Sequence, residues 1–283
     1  MSLIPTGELV AAAEAEQRGV GSFNVIHLEH AEAIAGGAES AGLPVIMQIS
    51  QNCVRYHGAL APIGAATLAV ARAATVPVAV HLDHATEPEL AYEAAELGFC
   101  SVMFDASAED YDTNVAATAK IVAWCRERGL WTEAELGEVG GKDGVHAPGA
   151  RTDPAEAAAY VAATGVDALA VAVGSSHAMR TREAALDIAR IAAIRAATPV
   201  PLVLHGSSGV PEQELRAAVT RGMTKINIST RLNAVFTRAV RQHLADHDTV
   251  DPRHYIGAGR DALATEVARL LGVLAGTSPP ATE

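Results

Sequence analysis

Aromatic side chains are scarce, 4% of 283 residues, although apolar residues overall reach 49%. A core must therefore be assembled from many small aliphatic groups, and alanine-rich stretches such as Ala11 to Ala15 and Ala157 to Ala159 supply them. The apolar fraction itself excludes a disordered chain. Cysteine is scarcer still. Cys53, Cys100 and Cys125 lie far apart with no Cys-x-x-Cys, which argues against a disulfide framework or a thiolate metal cluster and fits a reducing cytoplasm. Positive charge is in deficit, with 21 Lys+Arg against 33 Asp+Glu and a net charge of −12. That balance excludes a nucleic-acid binder working by phosphate neutralisation, so any anionic ligand has to be met by local groups. Apolar runs stop well short of a membrane span, and Met1 to Glu8 holds no basic segment followed by an apolar stretch. The expectation is a cytoplasmic protein with no membrane partner.

What is present is alternation. Short β-branched or apolar runs, Val20 to Ile26, Pro44 to Ser50, Val78 to Asp83, Ser101 to Asp105, Leu130 to Leu136, Ala168 to Val173, Leu202 to His205 and Thr224 to Ile228, read as strands. Between them fall helix candidates: Glu29 to Ser40, Ile63 to Ala74, Pro88 to Glu96, Tyr111 to Arg128, Pro154 to Ala163, Glu183 to Ala196, Glu212 to Thr220 and Arg231 to Asp246. Gly42, Gly98, Gly129, Gly165 and Gly222 punctuate the helix-to-strand joins. Eight βα units without a linker predict one domain over residues 1–283, an α/β (β/α)8 TIM barrel. A doubly wound sheet is the rival, but no Gly-x-Gly-x-x-Gly follows the first strand. An extra C-terminal helical segment, Arg260 to Leu274, would cap the barrel or bind a second subunit.

Such a barrel builds its site at the carboxyl ends of its strands. Here they read His81-Leu82-Asp83-His84, Glu133-Ala134-Glu135, Gly174-Ser175-Ser176-His177, His205-Gly206-Ser207-Ser208-Gly209 and Lys225-Ile226-Asn227. Imidazoles from separate strands with a carboxylate nearby make a shell for a catalytic Zn²⁺, and His84, His177 and His205 are the expected ligands. His81 reads as structural, one layer below Asp83. His27, His30, His57 and His146 read as solvated, with His57 near the mouth. Gly206, Ser208, Asn227, Ser229 and Thr230 are phosphate-binding candidates, set among backbone N–H groups after strands six to eight. Lys225, one of three lysines, admits a Schiff-base mechanism. Its structural alternative is an ion pair with Glu133, which shares a strand face with Glu135.

Taken in order, Ser22-Phe23-Asn24-Val25, Val80-His81-Leu82-Asp83-His84, Glu133-Ala134-Glu135-Leu136-Gly137, Pro201-Leu202-Val203-Leu204-His205-Gly206, Lys225-Ile226-Asn227 and Asp251-Pro252-Arg253 resemble the class II, metal-dependent ketose-bisphosphate aldolases, the fructose- and tagatose-bisphosphate aldolases among them. The resemblance spans nearly the whole chain. It implies a homodimer or homotetramer that cleaves a ketose phosphate into dihydroxyacetone phosphate and an aldehyde. It also implies that His84, His177 and His205 hold zinc, that Glu135 is an alternative ligand and that Asp105 belongs to a second metal position. Asp83 becomes the acid/base on the C4 hydroxyl, Asn24 and Ser50 become substrate contacts, and Gly206, Ser208, Asn227 and Thr230 hold the C1 phosphate, with a monovalent cation, Na⁺ or K⁺, nearby.

The chain departs from the family pattern at three positions. Asp143 stands where the family has Glu to shuttle the C3 proton, Ala178 follows His177 in place of Gly, and Gly257 replaces an Arg that grips the distal phosphate. Arg260, Arg55 and Arg180 are the candidate substitutes. Two further readings follow: a non-catalytic sugar-phosphate-binding barrel, and an aldolase for another substrate such as a 2-deoxy-5-keto-gluconate phosphate. A metal-dependent hydrolase would carry His-x-His on its first strand, where this chain reads Asn24-Val25-Ile26-His27.

Overall fold

A computed structural model describes residues 2–137, 151–175 and 184–277. The chain opens with α1 (Thr6–Ala15) and then runs β1 (Val20–Asn24), α2 (Leu28–Ala41), β2 (Val45–Ser50), α3 (Gln51–His57), α4 (Ala61–Ala73) and β3 (Val78–Ala85). It continues with α5 (Pro88–Leu97), β4 (Ser101–Phe104), α6 (Tyr111–Arg126), β5 (Trp131–Glu135), α7 (Pro154–Thr164) and β6 (Ala168–Ala170). Last come α8 (Ile188–Ala197), β7 (Leu202–Leu204), α9 (Glu212–Thr220), β8 (Met223–Ile228), α10 (Thr230–Asp246) and α11 (Pro252–Leu274). The strands pair in parallel in sequence order, and β1 closes on β8, so the sheet is a barrel. The expected (β/α)8 fold is the observed one.

Local chemistry sets the element ends. Asp110 accepts from Thr113 N at the start of α6, Asp153 from Ala155 N before Pro154, and Asp251 from Arg253 N before Pro252. Each pairs an N-cap acceptor with an otherwise orphaned donor, and the two prolines sit where no N–H is needed. Gly42, Gly98 and Gly165 end α2, α5 and α7 at positive φ, 64°, 91° and 68°, a conformation that favours glycine.

Period-two alternation divides each strand. Outward residues such as Phe23, Met47, Val80, Leu82, Val102, Ala134, Leu204 and Ile226 join the buried layer shared with the helices. Inward residues form layers inside the barrel. At its amino end Val20, Ile46 and Ala79 meet Leu9, Val10 and Ala13 of α1, which plugs that opening. Above them the interior turns polar, with Ser22, Gln48, His81, Ser101, Glu133 and Lys225 all at most 1% exposed.

The helix ring departs most from the expectation after the eighth strand. The helix after the eighth strand, α10, buries only Leu232, whereas α11 buries nine residues, packs along α2 and reaches β1. Thus α11 completes the ring, and α10 lies outside it. α11 also begins at Pro252, eight residues before the expected start, and α8 begins at Ile188. α1 and α3 were not expected as helices. No described helix is long and apolar enough to cross a membrane.

Candidate active site

Asp83 follows the inward alternation of β3, so its neighbour His84 should point outward. It does not, because β3 carries one extra residue relative to β4 between Leu82 and Ala85, and His84 takes a left-handed φ of 52°. A bulge re-aims a side chain in this way, and a non-glycine residue in that region costs about 1–2 kcal/mol. The strain places two successive residues on the inner face. His84 Nδ1 then lies 2.7 Å from Asp105 Oδ2, and the His84 and His205 rings meet edge-on at 4.6 Å.

Two groups of metal-competent side chains share His84. Asp83, His84 and His205 offer ligand atoms within 4.8 Å of one another, and so do His84, Asp105 and Glu135. Imidazole and carboxylate together suit Zn²⁺, so the donor chemistry fits a zinc ion at this mouth. His177, Asp143, Ala178, Arg180 and His146 lie outside the described residues. Asp105 is also bonded by Ser107 Oγ at 2.6 Å, which fixes the carboxylate facing His84.

Gln48, which the sequence reading passed over, organises the opposite wall. Its Nε2 donates to Asn24 Oδ1 at 2.7 Å and to Asp83 Oδ2 at 3.3 Å, while Ser22 Oγ donates to its Oε1. Asn227 Nδ2 donates to Asp83 Oδ1 at 3.3 Å. The signal was available: Gln48 shares its strand face with Ser50, which pairs in register with Asp83. Ser50 also caps α3, accepting from Cys53 N at 3.3 Å.

The phosphate candidates converge between β7 and α10. Gly206 adopts φ 65°, and Ser208 Oγ accepts from Ser229 N at 3.3 Å and Arg231 N at 3.2 Å. Thr230 opens α10, whose N-terminus presents the positive end of a helix dipole. A groove of about 880 Å³ starts at Ser208 and Thr230 and runs past Arg231, Arg238 and Arg241.

The remaining histidines, Lys225 and the candidate arginines are placed as follows. His81 is structural, fully buried and 2.7 Å from Ser101 Oγ; burial, reinforced by Lys225, holds its pKa well below the ordinary value, so it is neutral. Lys225 is paired with Glu133 at 2.8 Å, as its structural reading required. His30 corrects the expectation of solvation: it is 2% exposed, because α2 turns it against His27 and the Phe236 ring. His57 is exposed, with Nε2 2.6 Å from Ile26 O. Of the candidate cations for a distal phosphate, Arg55 is exposed beside Asn52, and Arg260 is engaged by Glu32 at 3.3 Å and Asp261 at 3.2 Å.

Comparison with known proteins gives the family of the chain. The family model for fructose-bisphosphate aldolase class-II matches residues 4–278. The fructose-bisphosphate aldolase of Geobacillus stearothermophilus is 40% identical over 272 residues, 94% of this chain and 95% of that protein. The probable fructose-bisphosphate aldolase of Bacillus subtilis (strain 168) is 39% identical over the same shares. Among solved structures, the YdjI aldolase of Escherichia coli K12 superposes with a TM-score of 0.87 at 30% identity, covering 99% of this chain and 100% of that one.

Proposed function

Because the chain belongs to the class-II fructose-bisphosphate aldolase family and is therefore an aldehyde-lyase, we propose that it cleaves a ketose phosphate or bisphosphate reversibly, with zinc, into dihydroxyacetone phosphate and an aldehyde. The observation that carries this reading is the pair of donor groups meeting at His84. In the proposal His84, His205 and His177 hold zinc, with Glu135 as an alternative ligand and Asp105 at a second position. Bound there, zinc supplies Lewis acidity to the substrate ketone and to the negative charge left when the carbon–carbon bond breaks.

The remaining work falls to the side chains. Asp83 takes the C4 hydroxyl proton in cleavage and returns it in condensation, held in place by Gln48 and Asn227. Asn24 and Ser50 orient the sugar. Gly206, Ser208, Asn227, Ser229 and Thr230 receive the C1 phosphate at the N-terminus of α10, with Na⁺ or K⁺ beside it. Asp143 shuttles the C3 proton. The Glu133 contact supports the zinc route over a Schiff base, since it engages the Lys225 amine. The same reading expects a cytoplasmic homodimer or homotetramer.

The test is condensation. Purified protein, dihydroxyacetone phosphate and a panel of phosphorylated and free aldehydes are expected to give ketose products whose formation a chelator abolishes. Borohydride with substrate is expected to leave Lys225 unlabelled. Lysine labelling with chelator resistance would indicate the Schiff-base route, and absence of product with every aldehyde would indicate a sugar-phosphate-binding barrel.

A further inference from the structure

Beneath the candidate metal ligands, Glu133 ties two other strands to its own. Its Oε1 lies 2.8 Å from His205 Nε2, and its Oε2 accepts from Lys225 Nζ at 2.8 Å. His81 Nε2 stands 3.8 Å from that second oxygen. None of these four side chains is more than 1% exposed. An ion pair stripped of water to this degree is often replaceable by apolar groups without loss of stability, so stability alone does not account for it. The proposed reaction gives neither Glu133 nor Lys225 a substrate contact.

Resting on the zinc-dependent reading above, we propose that Glu133 is a positioning residue that fixes the tautomer and ring orientation of His205, and that Lys225 locks the carboxylate that does so. A neutral imidazole has one N–H and one lone pair. A carboxylate at Nε2 takes the N–H as its donor, which leaves the lone pair on Nδ1, the form of the ring able to bind a cation. The Lys225 ammonium holds the other oxygen, so the carboxylate cannot rotate away. It also balances the charge, so the ring sits beside a neutral pair. This accounts for a lysine inside the barrel without covalent chemistry, and it explains why Glu133 and Glu135 share a face yet act at different depths.

Two measurements test the proposal. The first uses wild-type protein with ¹⁵N-labelled histidine, the His205 signals being assigned by their loss in His205→Asn. With and without zinc, the proton is expected on Nε2; a proton on Nδ1 overturns the proposal whatever the variants do. The second is a zinc titration against a chromophoric chelator at fixed pH. Glu133→Gln and the double variant Glu133→Gln/Lys225→Met are expected to bind zinc roughly 10- to 100-fold more weakly than wild type, the range for a lost outer partner of a ligating histidine. Cobalt in place of zinc is expected to show an altered visible spectrum in both. The double variant removes the carboxylate without stranding the ammonium, and so serves where the single variant fails to fold. Wild-type affinity in either folded variant overturns the proposal. If wild-type protein takes up no zinc, it is the zinc-dependent reading that fails. If zinc binding is lost in His205→Ala but unchanged in the Glu133 variants, only the positioning role fails.

Discussion

At the scale of single residues, the proposed metal centre turns on His84. Replacing it by Ala removes the side chain common to both donor groups, and His205→Ala removes one member of the first. Each variant is expected to lose stoichiometric zinc and turnover together, zinc affinity falling by more than the roughly 100-fold that marks the upper range for an outer partner. Metal content and kcat measured on the same preparation check this; a variant that keeps both is not missing a ligand. His30 carries a second prediction. Burial above all, then the neighbouring His27, pushes its pKa from 6.5 to about 3. In the unfolded chain it titrates near 6.5, so between about pH 6.5 and 3 the unfolded state binds more protons and stability falls as pH falls. The slope is at most about 1.4 kcal/mol per pH unit. Urea unfolding of wild type and His30→Gln at pH 7, 6 and 5 is expected to show the variant less sensitive to acid; equal slopes would mean that His30 titrates normally. The sequence revealed the identity of most of these side chains but not their orientation. Alternation alone sends His84 outward, and the bulge that turns it inward has no marker in Asp83-His84-Ala85. Burial of His30 depends on Phe236, some two hundred positions away, which no local pattern connects to it.

Among the elements, α2 and α11 make the contact that the sequence least disclosed. Adjacent glycines on α2 separate the two effects of a methyl group there. A Cβ on Gly37 would lie 2.5 Å from Ala264 O and 2.8 Å from Val267 Cβ, whereas one on Gly36 would meet nothing within 4 Å. Gly37→Ala is therefore expected to destabilise by about 1–3 kcal/mol through overpacking. Gly36→Ala is expected to stabilise by about 0.5–1 kcal/mol through helix propensity. Chemical denaturation of the two variants checks both signs, and a stabilising Gly37→Ala would mean that the helices can move apart. Strands were legible because their period of two survives in Val20 to Asn24, Val78 to Asp83 and Thr224 to Ile228, and glycines mark the joins. Helix α3 was not, because Gln51 to His57 is short and mostly polar. For α11 the cue Asp251-Pro252 was present, but Gly257 and Gly259 weaken the helical pattern that follows. That α11 rather than α10 would complete the ring is a matter of packing, and both stretches carry apolar residues at helical spacing.

For the whole molecule, the proposed function makes substrate choice turn on what stands in for the arginine that the family pattern has at position 257. Arg260 is committed to Glu32 and Asp261 and Arg55 is exposed beside Asn52; with no arginine at position 257, the proposed reading expects the distal phosphate to contribute little. The ratio of kcat/KM for fructose 1,6-bisphosphate to that for fructose 1-phosphate should stay within roughly 10- to 100-fold, the worth of about one charged hydrogen bond. At Gly257 a Cβ meets nothing within 4 Å, so the backbone there admits a side chain such as that of Gly257→Arg. That variant is expected to raise the ratio by about the same factor. A wild-type ratio above about 1,000 would require another cation to serve the site. The architecture has a further consequence, in the order of synthesis. The seam of the barrel is β1 against β8, and Gly19 N, just before β1, donates to Leu274 O at 2.9 Å in the last turn of α11. A ribosome adding about 5–20 residues per second leaves one edge of β1 open for roughly 10–50 s, until β8 and α11 exist. Through that interval β1 can pair with β2 along one edge only, so the barrel closes only when β8 and α11 have left the exit tunnel.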